Sequence, residues 1–127
     1  MQGKVVVAGF QADVRPIIAA CDVMTLTSHS VETFSLAALE SMSLCKPIVT
    51  TSIGGAQEQV THGVNGLLFS PGDVDALTKH LASLATADAR ANIGSAAPSV
   101  VRAQFTLTKM VAAYTGELLT LTASSPN

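Results

Sequence analysis

Two glutamates and a run of small polar residues mark the segment of this chain whose residue types could do chemistry. Glu32 and Glu40 are separated by seven residues, and a polar loop over residues 27–33 leads into a segment with apolar positions at helical spacing over residues 34–44. The first turn of a helix presents unpaired backbone N–H groups and the positive end of the helix dipole, which together bind phosphate. The segment therefore predicts an anion site at the start of a helix.

Three side chains sharpen this interpretation. Thr33 and Ser35 are small enough to let an anion approach the helix, and Glu40, about a turn and a half along it, could accept hydrogen bonds from a ribose diol. A polar loop before a helix is nevertheless common, and Glu40 could equally be a solvated helix residue. A single motif is only a hypothesis, so these residues alone leave nucleotide binding and a structural role both open.

Other reactive residue types show no functional spacing. His29, His62 and His80 are not spaced as metal ligands, and we expect no metal cofactor. We expect His62, which precedes a glycine turn, to be structural and His80 to lie on a helix surface. Cys21 and Cys45 lie in apolar contexts, which predicts reduced, inert core thiols.

Composition excludes several classes of function. The net charge is −2 without a basic run, so a nucleic acid polymer is not the expected partner. No apolar stretch approaches the ~20 residues of a membrane span, and the first residues do not resemble a signal peptide, so we expect a cytoplasmic protein. The chain is 48% hydrophobic but only 4% aromatic. This mixture is typical of buried parallel strands between helices, or of apolar surface that a missing partner covers.

The elements that must position these residues alternate along the chain. Asp73 and Thr106 are natural N-caps of the fourth and fifth predicted helices. Alternation of this kind predicts an α/β fold with a Rossmann-like parallel sheet of about four strands, with ligands at the carboxyl ends of the strands. The predicted strands span residues 5–8, 23–26, 48–51 and 67–69, and the predicted helices residues 14–20, 34–44, 54–60, 74–85 and 107–119.

Several linked motifs resemble retaining GT-B glycosyltransferases of family 4, the glycosyl transferases of group 1. The two glutamates of residues 32–40 reproduce the pair of that family. The other matching segments are Leu-Glu-Ser-Met-Ser at 39–43, Lys-Pro-Ile-Val-Thr-Thr at 46–51, Gly-Gly-Ala-Gln-Glu at 54–58, residues 62–69, Pro-Gly-Asp at 71–73, and Phe-Thr at 105–106. The resemblance implies an incomplete C-terminal half of a GT-B fold, with a truncated nucleotide-sugar-binding domain over residues 1–122 and a disordered tail over residues 123–127.

The resemblance also assigns roles to individual residues. Glu32 is implied as the catalytic residue, against the transferred sugar, and Glu40 as the ligand of the ribose hydroxyls. The implied diphosphate cradle is built from the backbone around the start of the helix, at Thr33, Phe34, Ser35 and Leu36. The loop over residues 9–13, with Gln11 and Asp13, is implied to face the base, mostly through backbone groups.

The chain departs from the family at three glycines. Thr33 and Ser35 stand where the family has glycine, which narrows the implied phosphate pocket. Cys45 replaces the glycine that ends the helix, where a left-handed residue costs roughly 1 kcal/mol, so we expect this helix to end differently.

The implied activity needs parts that this chain does not match. In the family a separate N-terminal domain binds the acceptor, and an Arg and a Lys upstream of the matched region neutralise the leaving diphosphate. We therefore expect a donor-binding part that takes a nucleoside-diphosphate sugar but is inactive by itself. The alternatives are a non-catalytic nucleotide-sugar-binding or assembly subunit that completes a site on a partner chain, and a structural remnant.

One consequence concerns the sheet. In the sheet of the family, two further strands lie between the strands that match residues 5–8 and 23–26. By motif matching, this chain has no counterpart of those two strands. The strand over residues 23–26 would then present an unpaired edge, which recruits other strands, so either residues 5–8 pair directly beside it or another copy of the chain fills the gap. We expect the first outcome, a four-stranded sheet with a damaged base site, together with a tendency to self-associate.

Overall fold

The computed structural model describes residues 5–123, and a parallel three-stranded sheet lies at its centre. The strands follow one another in space in the order of the chain, β1-β2-β3. Met24 lies opposite Ile48, and Val49 lies opposite Leu67. The strands are β1 Met24–Leu26, β2 Ile48–Thr51 and β3 Leu67–Phe69.

The central strand organises two layers of core. All four residues of β2 are buried, as expected for a parallel strand covered on both faces. Successive side chains of a strand point to opposite faces, so Ile48 joins a cluster with Met42 while Val49 joins another with Phe69. The predicted α/β class with a parallel sheet flanked by helices is thereby confirmed.

The described residues contain seven helices besides the sheet. Asp73 caps α4 by accepting from the N–H of Ala76, and Thr106 accepts from the N–H of Lys109, so both predicted caps are confirmed. α2 packs against α6 and α4 packs on β2 and β3. The helices are α1 Arg15–Ala20, α2 Leu36–Ser43, α3 Ala56–Gln59, α4 Val74–Ser83, α5 Ala87–Gly94, α6 Ala97–Gln104 and α7 Leu107–Ala123.

The prediction that residues 5–8 form a strand beside β1 is wrong. No strand includes these residues, and Val5, Val6 and Val7 are 88–90% exposed. The sheet therefore has three described strands, not about four. A run of β-branched residues carries strand propensity, but it does not specify a partner, and β-structure forms only where another strand supplies the hydrogen bonds.

The end of α2 also departs from expectation. Cys45 has a φ of 59°, in the left-handed region, and it is exposed rather than buried in the core. Its N–H donates to the carbonyl of Met42, and the N–H of Lys46 donates to the carbonyl of Ser41. This is the Schellman arrangement that glycine normally completes. The helix therefore ends as it would with glycine at this position, and Cys45 carries the strain of about 1 kcal/mol.

The last helix lies almost free of the core. Every described side chain of α7 is exposed, and Leu107, Tyr114 and Leu118 are each more than 60% accessible. α7 extends past its predicted end to Ala123, the first residue of the predicted tail, while residues 1–4 and 124–127 lie outside the described residues. Among the described residues, no helix combines the length and hydrophobicity that crossing a membrane requires.

Candidate functional site

The loops that follow β1 and β2 are fastened together at the carboxyl edge of the sheet. The N–H of Gly55 donates to the carbonyl of Thr33 at 2.7 Å. A Cβ atom on Gly54 would lie only 1.5 Å from the carbonyl oxygen of Glu32, and one on Gly55 would lie 2.6 Å from that of Thr33. Two consecutive residues without side chains are therefore required for this contact, which fixes the backbone of Glu32.

The N-terminus of α2 presents a row of free amide groups. Ser35 is the N-cap, and its buried hydroxyl accepts from the N–H of Ala38 at 3.2 Å. The N–H groups of Phe34, Ser35, Leu36 and Ala37 have no hydrogen-bond acceptor among residues 5–123. Four consecutive donors at the positive end of a helix dipole form an arrangement suited to an anion with several oxygens.

Glu32 lies two residues before Phe34, the first of these four amides. Its side chain is half-buried, and the hydroxyl of Ser28 donates to its carboxylate at 3.5 Å. The adjacent Thr33 is exposed, and its carbonyl is the acceptor for Gly55. The structure thus brings the predicted residues Glu32, Thr33 and Ser35 together at one place.

Glu40 lies one helical turn beyond Leu36 on the same face of α2, and both line a cavity of about 340 Å³ between α1, α2 and α6. The Glu40 carboxylate is exposed and has no hydrogen bond or ion pair among the described residues. Its oxygens are therefore free to accept hydrogen bonds from a ligand. Apart from Arg15, Glu40 and Ser43, the cavity wall is apolar: Leu36, Leu39, Leu44, Val101 and Phe105.

The side chains of Gln11 and Asp13 are engaged within their own segment. Gln11 donates to the carbonyl of Ala8 at 2.7 Å, and Asp13 accepts from the Nε and Nη2 atoms of Arg15 at 2.8 Å each. These hydrogen bonds from Arg15 hold the pKa of the Asp13 carboxyl below its usual value. It is Arg15 that lines the Glu40 cavity. Sequence reasoning missed Arg15, because it stands in no motif.

Two buried amide side chains that sequence reasoning also missed support the backbone at the start of α2. Gln59 is 1% exposed, and its side-chain amide donates to the carbonyl of Ser35 at 2.9 Å. Asn65, also buried, donates to the carbonyl of Gln59 and accepts from the N–H of Thr61. The signal in the sequence is a pair of amide residues next to buried apolar positions, which must be hydrogen-bonded if they are buried.

His62 and His80 both form hydrogen bonds with the backbone of β3. The N–H of Leu68 donates to Nδ1 of His62 at 2.9 Å, and Nε2 of His80 lies 3.1 Å from the carbonyl oxygen of Leu68. The structural role predicted for His62 is confirmed, whereas His80 is half-buried rather than on a free helix surface. In residues 5–123, no cluster of three or more His, Cys, Asp or Glu side chains could hold a metal ion.

Comparison with known proteins gives consistent matches. A family model described as glycosyl transferases group 1 matches residues 1–87. The lipopolysaccharide core biosynthesis glycosyltransferase LpsE of Rhizobium meliloti is 31% identical over 127 residues, which is 99% of this chain and 36% of LpsE. A D-inositol 3-phosphate glycosyltransferase of Kribbella flavida is 40% identical over 67 residues, 53% of this chain and 16% of that protein.

Solved structures extend the match to the fold. The crystal structure of Anabaena HepE in complex with UDP has a TM-score of 0.75 at 33% identity, covering 85% of this chain and 30% of HepE. The C-terminal domain of the group 1 glycosyl transferase LpcC of Francisella tularensis has a TM-score of 0.67 at 27% identity, covering 78% and 52%. This chain spans about a third of the length of LpsE and HepE.

Proposed function

Because this chain belongs to the glycosyl transferases of group 1, we propose that it is the donor-binding part of a retaining glycosyltransferase of family 4. Its parallel α/β sheet is part of a GT-B fold. In this proposal the chain binds a nucleoside-diphosphate sugar, and the sugar is transferred to an acceptor held by another domain.

The observation that carries the proposal is the row of four free amides at the start of α2, with a free carboxylate one turn further on. A diphosphate offers several oxygens to the N–H groups of Phe34, Ser35, Leu36 and Ala37. A ribose next to those phosphates offers two hydroxyl donors to Glu40, which has unused acceptor capacity. The similar protein HepE was crystallised in complex with UDP, and we propose UDP as the nucleotide for this chain.

Glu32 is proposed to contact the transferred sugar beside the diphosphate. The Gly54–Gly55 contact holds its backbone in place, and Thr33 and Ser35 are proposed to narrow the cradle. Retention is proposed to proceed without a protein nucleophile, with the leaving phosphate assisting the acceptor and without a metal ion.

The chain is proposed to need other parts for transfer. Positive charge that stabilises the leaving phosphate contributes strongly to catalysis. We propose that the residues that supply this charge, and the N-terminal acceptor-binding domain, lie outside this chain. The isolated chain is therefore proposed to be inactive. The alternative, a non-catalytic subunit that completes a site on a partner chain, is favoured by the exposed apolar side chains of α7. The open edge at β1 supports self-association.

Titration of the 127-residue chain with UDP in a calorimeter tests the proposal. Hydrogen bonds to a charged group contribute roughly 1.5–3 kcal/mol, so Glu40→Ala should weaken UDP binding about tenfold or more. Glu117→Ala, which removes an exposed glutamate on α7, is the matched control and should leave affinity unchanged. Equal affinity of Glu40→Ala and wild type would make Glu40 a solvated helix residue, and no UDP binding by the wild type would overturn the proposal.

A further inference from the structure

The cavity beside α2 holds two opposite charges that do not pair with each other. Within residues 5–123, Arg15 and Glu40 are the only charged residues that line it. Arg15 is instead bound to Asp13 through two hydrogen bonds of 2.8 Å, from Nε and Nη2 to the two carboxylate oxygens. Glu40 is left without a partner among the described residues, although a cation lines the same cavity.

We infer that Arg15 forms the base-binding wall of the nucleoside subsite, and that Asp13 is a positioning residue that holds the guanidinium flat and keeps it from neutralising Glu40. This inference rests on the proposed function, because it takes the ligand to be a nucleoside diphosphate. It adds a side-chain contact for the base and a reason for Asp13 to be acidic.

The direction of the ligand along α2 follows from the order of its parts. In the proposed function the phosphates bind at Phe34 to Ala37, whose amides are free, and the ribose binds at Glu40, one turn further along in the cavity wall. The base, attached on the far side of the ribose, must extend toward the end of the helix, where Ser43 and Leu44 line the same cavity. Arg15 of α1 lines this same cavity.

The chemistry of Arg15 suits a planar heterocycle. A guanidinium group is flat and stacks on aromatic faces, including nucleic acid bases. The two-point hydrogen bond to Asp13 fixes the plane of the group. The apolar side chains of Leu39 and Val101 supply the rest of the wall, so a base would be held between an apolar surface and a fixed cation.

Asp13 also protects the ribose ligand. The Arg15 side chain is 76% exposed, so without Asp13 nothing in its surroundings would prevent it from moving to the other carboxylate of the cavity. An Arg15–Glu40 pair would occupy the oxygens that the ribose hydroxyls need. The loss of Asp13 should therefore harm binding through Arg15, and removal of Arg15 should relieve that harm.

The test is a double-mutant cycle on the 127-residue chain, with UDP and inorganic pyrophosphate as probes in calorimetry. We expect Arg15→Ala to weaken UDP binding about threefold to tenfold, the range of one base-stacking contact, without changing pyrophosphate binding. Asp13→Ala should weaken UDP binding further, by about tenfold or more. The double variant should bind UDP as well as Arg15→Ala alone. Arg102→Ala, at an exposed position of α6, should change neither probe.

The possible results separate the inference about Arg15 and Asp13 from the proposed function. UDP binding by Arg15→Ala at wild-type affinity overturns the inference while leaving the proposed function intact. A double variant as weak as Asp13→Ala means that Asp13 acts other than through Arg15 and also overturns it. A wild type that binds no UDP removes the proposed function and this inference together.

Discussion

Leu68 on β3 and Thr25 on β1 hold equivalent places at the two edges of the sheet, because the backbone groups of both point away from β2. At Leu68 the N–H and the carbonyl are bound by His62 and His80. At Thr25 none of the described residues supplies a hydrogen bond, since the ladder to β2 uses Met24 and Leu26. One edge is therefore closed by side chains at this position, and the other is left open among the described residues.

The difference shows how a parallel sheet can end without another strand. Two histidines from flanking elements bind the N–H and the carbonyl of one residue of an edge strand, so these two groups are not available to another strand. The β1 edge lacks such groups, and residues 5–8, which could have covered it, remain exposed. The closed edge at β3 and the open edge at β1 can be tested separately. The contact between the loop after β1 and the loop after β2 can be tested as well.

The largest effect is expected at Gly54, which fastens the loop after β2 to the loop after β1. Its φ of +52° disfavours side chains, and an added Cβ would lie 1.5 Å from the carbonyl oxygen of Glu32. Gly54→Ala should lower the free energy of unfolding by roughly 3 kcal/mol or more, from overpacking and backbone strain together. Urea denaturation measures this loss.

Gly63→Ala is the matched control. Gly63 also has a positive φ, of +78°, but a Cβ there would meet nothing within 4 Å. Only the backbone cost of roughly 1 kcal/mol should be measured. Equal losses in the two variants would mean that the contact between the loops adds nothing to stability.

A smaller effect is expected from opening the closed edge. His62→Ala removes the acceptor for the N–H of Leu68 and should cost about 1 kcal/mol, the net contribution of one hydrogen bond. The amide of Leu68 should also exchange its hydrogen faster in the variant. His29→Ala, in an exposed loop, should show neither change. Unaltered exchange at Leu68 after His62→Ala would show that the edge is not closed by this histidine.

The smallest effect on stability is expected at the open edge. Val6 is 88% exposed, so Val6→Asp should change the free energy of unfolding by less than about 0.5 kcal/mol. If residues 5–8 of one copy fill the β1 edge of another, the same change should abolish self-association in light scattering coupled to gel filtration.

Val74→Asp, at another exposed apolar position, should leave self-association intact. A wild type that stays monomeric at high concentration would argue against filling of the open edge by a second copy. Continued association of Val6→Asp would place the contact elsewhere on the surface.

The buried centre of the fold could be predicted from the sequence. β2 and β3 lie at their predicted bounds, because short β-branched or apolar runs between turns have few other solutions. The predicted helix over residues 34–44 is trimmed to Leu36–Ser43, since Ser35 acts as its cap. Local signals such as caps and apolar runs therefore gave the elements that position Glu32 and Glu40.

Features that depend on distant partners could not be predicted. Residues 5–8 have the composition of a strand but no strand beside them, and α5 and α6 lie between the predicted helices over residues 74–85 and 107–119, where the sequence predicts no helix with definite bounds. Arg15 enters the candidate site only because α1 packs near α2. His80 binds a backbone group twelve residues away in the chain, a pairing that no local pattern encodes.

The order of the strands has a consequence for how the chain folds. Each strand pairs with the next strand in the chain, and α2 and α3 lie in the connections between them. The loops that must close are therefore short, and short loops lose less conformational entropy when they close. Domains rich in such near-neighbour contacts fold faster than those built from distant pairings. β1, α2 and β2 can thus form a first folding unit onto which β3 adds, before the remaining helices arrive.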